Sequence, residues 1–252
     1  VPGSDLVDLM PLPATHRLYL EAPDTFTSQG HVLAVRERAV ALQRSCFYPG
    51  GGGQPADQGT LLLHDGSPIP LTGAYADAEG VVWHVADAPL PDDLAGNEVA
   101  VEVDAARRRA FSRYHTVLHV LNTIALRDHG GWITGAQIAA DYARIDFKLD
   151  GVPAEMRANL EDKVNEVITQ ARPLRAYHLT QSEFDRRDDL LRTLEVKPPM
   201  HEGRVRIVEI EGFDAQACGG THVRHTGELG RFSIERTENK GRINKRLYVK
   251  LD

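Results

Sequence analysis

Two short segments carry the residues best suited to chemistry: His115-Thr116-Val117-Leu118-His119 and Cys218-Gly219-Gly220-Thr221-His222. Together they offer three imidazoles and one thiol, a complete donor set for a single zinc-type ion. Mixed nitrogen and sulfur donors favour Zn2+ over magnesium or calcium. His115 and His119 stand four apart, so on a helix they share one face. The glycines after Cys218 let a loop turn and present both Cys218 and His222. The pairing therefore predicts that two distant segments meet at one metal. Four protein ligands match a closed structural site, whereas a catalytic zinc keeps one position for water or substrate. No glutamate stands between the helical histidines, which disfavours a metalloprotease of the HExxH type. The other eight histidines are read as surface or core residues; His225, three after His222, is the one that offers an alternative ligand.

The elements that must position these residues are legible in outline. The chain has 252 residues, 42% hydrophobic and 26% charged, enough for one large domain or two modest ones. No apolar run approaches the ~20 residues of a membrane span, and no signal-like segment opens the chain. Only Cys46 and Cys218 are present. That argues against a disulfide scaffold and for a reducing, cytoplasmic setting in which Cys218 stays available to a metal. A net charge of −7 argues against indiscriminate nucleic-acid binding but leaves room for a local basic surface.

Up to the nineties the sequence is rich in short apolar or alternating runs: 17–20, 31–35, 39–42, 60–63 and 80–85, with another at 98–103. Gly, Pro, Asp and Ser separate them, as in a small antiparallel barrel or sandwich. A helix is expected from Ala105 to about Arg127, with Asp104 as its N-cap and Gly130-Gly131 past its end. Pro153 opens a second helix reaching Gln170, and a third, shorter one is read over 181–191. Strands are expected at 143–148, 205–210, 230–235 and 246–250. The order gives an α+β protein: a β domain over residues 1–100 and an α+β domain over 101–252, its helices packed on an antiparallel sheet.

The His-x3-His and Cys-Gly-Gly-Thr-His pair resembles the editing domain of alanyl-tRNA synthetase and its free-standing relatives, the AlaX proteins. Ala136-Gln137-Ile138, Arg144-Ile145-Asp146-Phe147 and Thr226-Gly227-Glu228-Leu229-Gly230 extend the likeness over about residues 105–250. Phe47-Tyr48-Pro49-Gly50-Gly51-Gly52-Gly53-Gln54-Pro55 looks like the glycine-rich loop of the medium-length AlaX class, which carries a small β-barrel before the editing domain.

The resemblance implies a fold, a metal and a reaction. His115, His119, Cys218 and His222 would hold the ion, and the reaction would be hydrolysis, in trans, of the ester of tRNA(Ala) wrongly charged with serine or glycine. The ion either orients the substrate or activates water. Gln137 and Thr134 are candidates for polar contacts to substrate or water. Thr116, between two ligands, is expected to satisfy local polarity. Serine differs from alanine by a hydroxyl, so selectivity requires a group that bonds that hydroxyl.

A tRNA partner calls for positive charge. Arg107, Arg108, Arg109 and Arg113 cluster before His115, and Arg242, Lys245 and Arg246 lie in a basic tail. The amides of Gly51, Gly52 and Gly53 are further candidates for phosphate. The alternatives are a non-catalytic zinc-containing tRNA-binding module and a hydrolase of another aminoacyl ester. The oligomeric state is not encoded in any of these motifs.

Overall fold

In the computed structural model, residues 11–192, 200–201 and 203–252 are described. Sixteen strands and three α-helices follow one another in an α+β arrangement. The first eight strands are β1 (His16–Arg17), β2 (Thr27–Arg36), β3 (Ala39–Leu42), β4 (Arg44–Ser45), β5 (Gly59–Leu62), β6 (Pro68–Ala76), β7 (Val82–Ala86) and β8 (Glu98–Val103). After them come α1 (Ala105–His129), β9 (Trp132–Ile138), β10 (Ala143–Lys148), α2 (Ala154–Thr169), β11 (Leu174–Thr180) and α3 (Gln181–Phe184). The chain ends with β12 (Met200–His201), β13 (Arg204–Ile210), β14 (Asp214–Ala217), β15 (Phe232–Asn239) and β16 (Asn244–Leu251).

Two compact units emerge. The first runs through Tyr19, Thr25–Pro49 and Ala56–Asp104; the second takes Leu20–Asp24, Gly50–Pro55 and Ala105–Asp252. The glycine-rich loop thus belongs to the second unit, although its sequence position lies within the expected 1–100 β domain.

The first unit is a closed antiparallel barrel in the order β2-β3-β7-β6-β5-β8. Closure removes the exposed edges that an open sheet would leave. Val40, Leu42, Phe47, Leu61, Val82 and Val101 fill it, from strands whose alternate residues point inward. Of the two readings, barrel and sandwich, the barrel is the one formed. Strand β6 had no clear signal, because Pro68 and Pro70 punctuate it like a loop. One ionisable group is sealed inside. His84 Nε2 lies 2.7 Å from the Ser45 hydroxyl and its Nδ1 lies 3.1 Å from the Val40 carbonyl.

In the second unit, β15-β16-β10-β9 make one antiparallel sheet; β13 is flanked by β11 and β12 and also pairs with β14. Helix α1 is buried at every residue from Tyr114 to Ala125, so it is a central helix rather than a surface one with an apolar stripe. Its Val117, Leu121 and Ile124 join Leu160 and Val164 of α2 and Ile145, Phe147, Leu247 and Val249 of the sheet in one core. The third helix differs from expectation. A capping box between Thr180 and Glu183 starts it, but α3 stops at Phe184, and Arg187 takes a non-helical φ of −127° before a 3-10 turn at Asp188–Leu190. The charged run 185–189 has no apolar face to hold a longer helix against the core.

Burial pushes the His84 ring down to about 4 from its ordinary 6.5. Below pH 6.5 the unfolded chain therefore takes up a proton that the folded chain refuses. Stability from this group is full above pH 6.5 and is lost as pH falls toward 4. Urea unfolding at about pH 5 and about pH 7.5 should show that His84→Gln loses less stability on acidification than the parent, by about 2 kcal/mol. Equal losses in the two proteins would show that the ring is not held neutral.

Candidate metal centre

The four residues singled out by their spacing come together. The ligand atoms of His115, His119, Cys218 and His222 all lie within 4.8 Å of one another. Cys218 Sγ is 3.3 Å from His115 Nε2 and 3.4 Å from His222 Nε2. A tetrahedral ion with ordinary Zn–S and Zn–N bonds sets such edges at about 3.5 Å. The donor set and its spacing fit zinc. Among the described residues this is the one group of His, Cys and acidic side chains able to hold a metal.

The helix supplies His115 and His119, one turn apart on a segment with no solvent-facing side. The turn after β14 supplies Cys218 and His222. It requires glycine at 220: a Cβ there would overlap the His115 ring and lie 3.0 Å from Gln54 Oε1. Arg206, on β13 and buried, ties this turn down. Its Nη1 donates to the carbonyls of Cys218 (2.9 Å) and Gly220 (3.0 Å), and its Nε donates to Leu20 (3.2 Å). The Gly220 amide donates toward Cys218 Sγ at 3.4 Å.

A third segment, the glycine-rich loop, completes the site. Gly50, Gly51, Gly52 and Gly53 all have positive φ, a run that only glycine adopts without strain. Gly53 accepts from the Ile138 amide at 2.8 Å, which binds the loop to edge strand β9. The loop delivers Gln54, 2% exposed, to the metal ligands. His115 Nδ1 donates to Gln54 Oε1 at 2.7 Å, leaving Nε2 for the metal. The same oxygen accepts from the Thr221 amide, and Gln54 Nε2 donates to the Thr221 hydroxyl at 2.8 Å. Thr116 has a matching role for His222, whose Nδ1 lies 3.1 Å from the Thr116 hydroxyl. That hydroxyl donates to Ser112, so it satisfies local polarity, as expected, while also orienting a ligand.

Electrostatics favour the ligand forms of the rings. Burial, joined by the Arg206 charge, pushes His115 down to about 4 and holds His119 and His222 well below the usual imidazole range. Neutral imidazole is the form that binds metal. Burial pushes the Cys218 thiol up, against the opposing pull of Arg206; a bound cation reverses that balance.

Other residues named from the sequence make hydrogen bonds away from the four ligands. Gln137 pairs across the sheet with Arg144, which pairs with Tyr248. Its neighbours Ile138 and Ala143 face α1 in the core, so Gln137 is on the opposite face, where it accepts from Arg144 Nε at 2.8 Å. The amide beside the ligands is that of Gln54. Thr134, at a bulge in β9, is exposed and donates to Asn244 Oδ1 at 2.8 Å. His225 is exposed beside Glu228, outside the ligand cluster.

Several basic residues are committed to the fold. Arg108 is 1% exposed and donates to the Pro23 carbonyl. Arg113 binds the carbonyls of Leu229 and Asp252. Lys245 is buried and turned onto the Gly241 and Arg242 carbonyls. Arg246 makes two 2.7 Å bonds to Asp146, and Arg107 stacks over Phe111. Of these, Arg108 and Lys245 are enclosed within the fold. Arg109, Arg242, Gly51 and Gly52 are exposed.

Known proteins resemble this chain over most of its length. Residues 205–248 match the family described as the threonyl and alanyl tRNA synthetase second additional domain. The alanyl-tRNA editing protein AlaX-M of Methanosarcina acetivorans is 35% identical over 219 residues, 85% of this chain and 89% of that one. The chain belongs to the AlaX-M family. The AlaX-M protein of Saccharolobus solfataricus is 33% identical over 235 residues, covering 93% of this chain and 98% of its own. The alanine–tRNA ligase of Korarchaeum cryptofilum is 36% identical over 232 residues, 91% of this chain but 25% of the ligase. The AlaX-M relatives thus match nearly end to end, the ligase over one quarter of its length.

Because Gln54 fixes His115, Gln54→Leu should fold normally and bind zinc about 10–100-fold more weakly in a chelator competition. Gly220→Ala should weaken binding further by displacing the His115 ring. Unchanged affinity in both would remove the loop from the site.

Proposed function

We propose that this chain edits alanyl-tRNA as a metal-dependent aminoacyl-tRNA hydrolase. It acts in trans on tRNA(Ala) carrying serine, and also on tRNA(Ala) carrying glycine. The observation that carries the reading is the converging three-histidine, one-cysteine cluster in a chain related over most of its length to AlaX-M editing proteins. A bound zinc ion would supply Lewis acidity toward an ester carbonyl or a water.

The chain's own residues prepare that chemistry. Gln54 and Thr116 orient two imidazoles, Arg206 holds the cysteine turn, and the buried helix keeps bulk water from the ring nitrogens. For the serine hydroxyl we propose Thr134 as the reading group. Its exposed hydroxyl bonds only the side chain of Asn244 in a 2.8 Å contact, and its strand also bears the Gly53 contact. Phosphate contacts near the acceptor end are assigned to Arg109, Arg242 and the amide of Gly52; the Gly51 amide donates to the Gln54 carbonyl. Free cysteines and the absence, among the described residues, of a helix able to cross a membrane support a reducing, cytoplasmic place of action.

A non-catalytic zinc module is favoured by one observation, the four protein ligands, which would close a structural site. Deacylation separates the readings. The metal-loaded chain should release serine and glycine from tRNA(Ala) and spare alanine, while Cys218→Ala should stay folded and lose release. No release above a metal-stripped control would rule out the enzyme, and unfolding of Cys218→Ala would indicate a structural ion.

A further inference from the structure

The four ligands are not held alike. His115 donates to Gln54 at 2.7 Å, His222 has the Thr116 hydroxyl at 3.1 Å, and Cys218 Sγ accepts the Gly220 amide. His119 has no counterpart. Its Nδ1 is buried and has no hydrogen-bond partner among the described residues. The polar side chains around it are spent on one another: Asn122 donates to Gln216 Oε1 at 3.1 Å, and Gln216 Nε2 bonds Asp214 at 2.6 Å and Thr123 at 3.3 Å. The His119 ring makes edge contacts with the two other imidazoles, at centroid distances of 5.1 and 4.5 Å.

With Nε2 of His119 turned to the ion, as for His115 and His222, the buried Nδ1 is the nitrogen that a metal-bound histidine ordinarily gives to an orienting partner. We propose that His119 is the exchangeable member of the ligand set, the one whose place at the ion can pass to a water or to a substrate donor. This rests on the metal-centre reading. It gives a four-residue donor set the open position that catalysis requires, without loss of the three anchored ligands. The orphaned nitrogen is then a functional feature: a ring bound as firmly as the other two would close the site.

Cobalt titration of the metal-stripped full chain tests this, with folding of each variant checked by circular dichroism. His115→Ala and His222→Ala should each lose at least about 100-fold in cobalt affinity, whereas His119→Ala should lose no more than about 10-fold. His119→Ala should also keep the thiolate-to-cobalt band, and added imidazole should restore the parent's visible d–d bands. If His119→Ala does not fold, His119→Gln is read by the same titration. Loss of cobalt in the His119 variant as complete as in the other two would overturn the proposal. A parent that binds no cobalt or zinc would instead overturn the metal-centre reading itself, and the proposal with it.

Discussion

Three imidazoles and a thiol must stay within 4.8 Å of one another inside a hydrophobic core, and most of the second unit can be understood from that constraint. Burial alone would leave polar nitrogens without partners, at a cost of about 1–3 kcal/mol each. Gln54 and Thr116 partner two of those nitrogens, and Arg206 satisfies carbonyls of the ligand turn, each from a different part of the chain. The glycine-rich loop, helix α1 and strand β13 are therefore tied to the same few atoms. The four-stranded sheet and α2 supply the apolar packing that keeps α1 in place.

Charge is handled sparingly. Arg206 is the buried guanidinium next to the cluster, and its donors are taken up by backbone carbonyls of the ligand turn and of Leu20. Its field opposes protonation of the rings and favours the thiolate. One residue thus contributes to both the shape and the ionisation of the centre. The remaining arginines of the α1 region, whose clustering suggested a phosphate surface, mostly cap carbonyls or stack on a ring.

Much of the architecture was legible because local signals agreed with packing. Strands β8 and β10 fall on the residues whose alternation marked them, and helices α1 and α2 differ from expectation by no more than about two residues at their ends. The ligands were legible because histidine and cysteine at such spacings have few other uses. Gln54 was not: a glutamine after four glycines carries no chemistry until the fold sets it against His115. Gln137 looked more suitable in the linear sequence, and in the structure its amide oxygen is taken by Arg144. Arg108 and Lys245 have carbonyl partners that no sequence pattern announces, since a basic side chain reads as surface until its partners are known.

Burial is uneven around the ligand cluster, and that sets a direction. His115, His119 and His222 are buried, and the helix behind two of them is enclosed on all sides. Cys218 and Gly219 are partly exposed. The ligand residue that keeps some exposure is therefore the one whose backbone Arg206 ties down, so access and rigidity meet at the same turn.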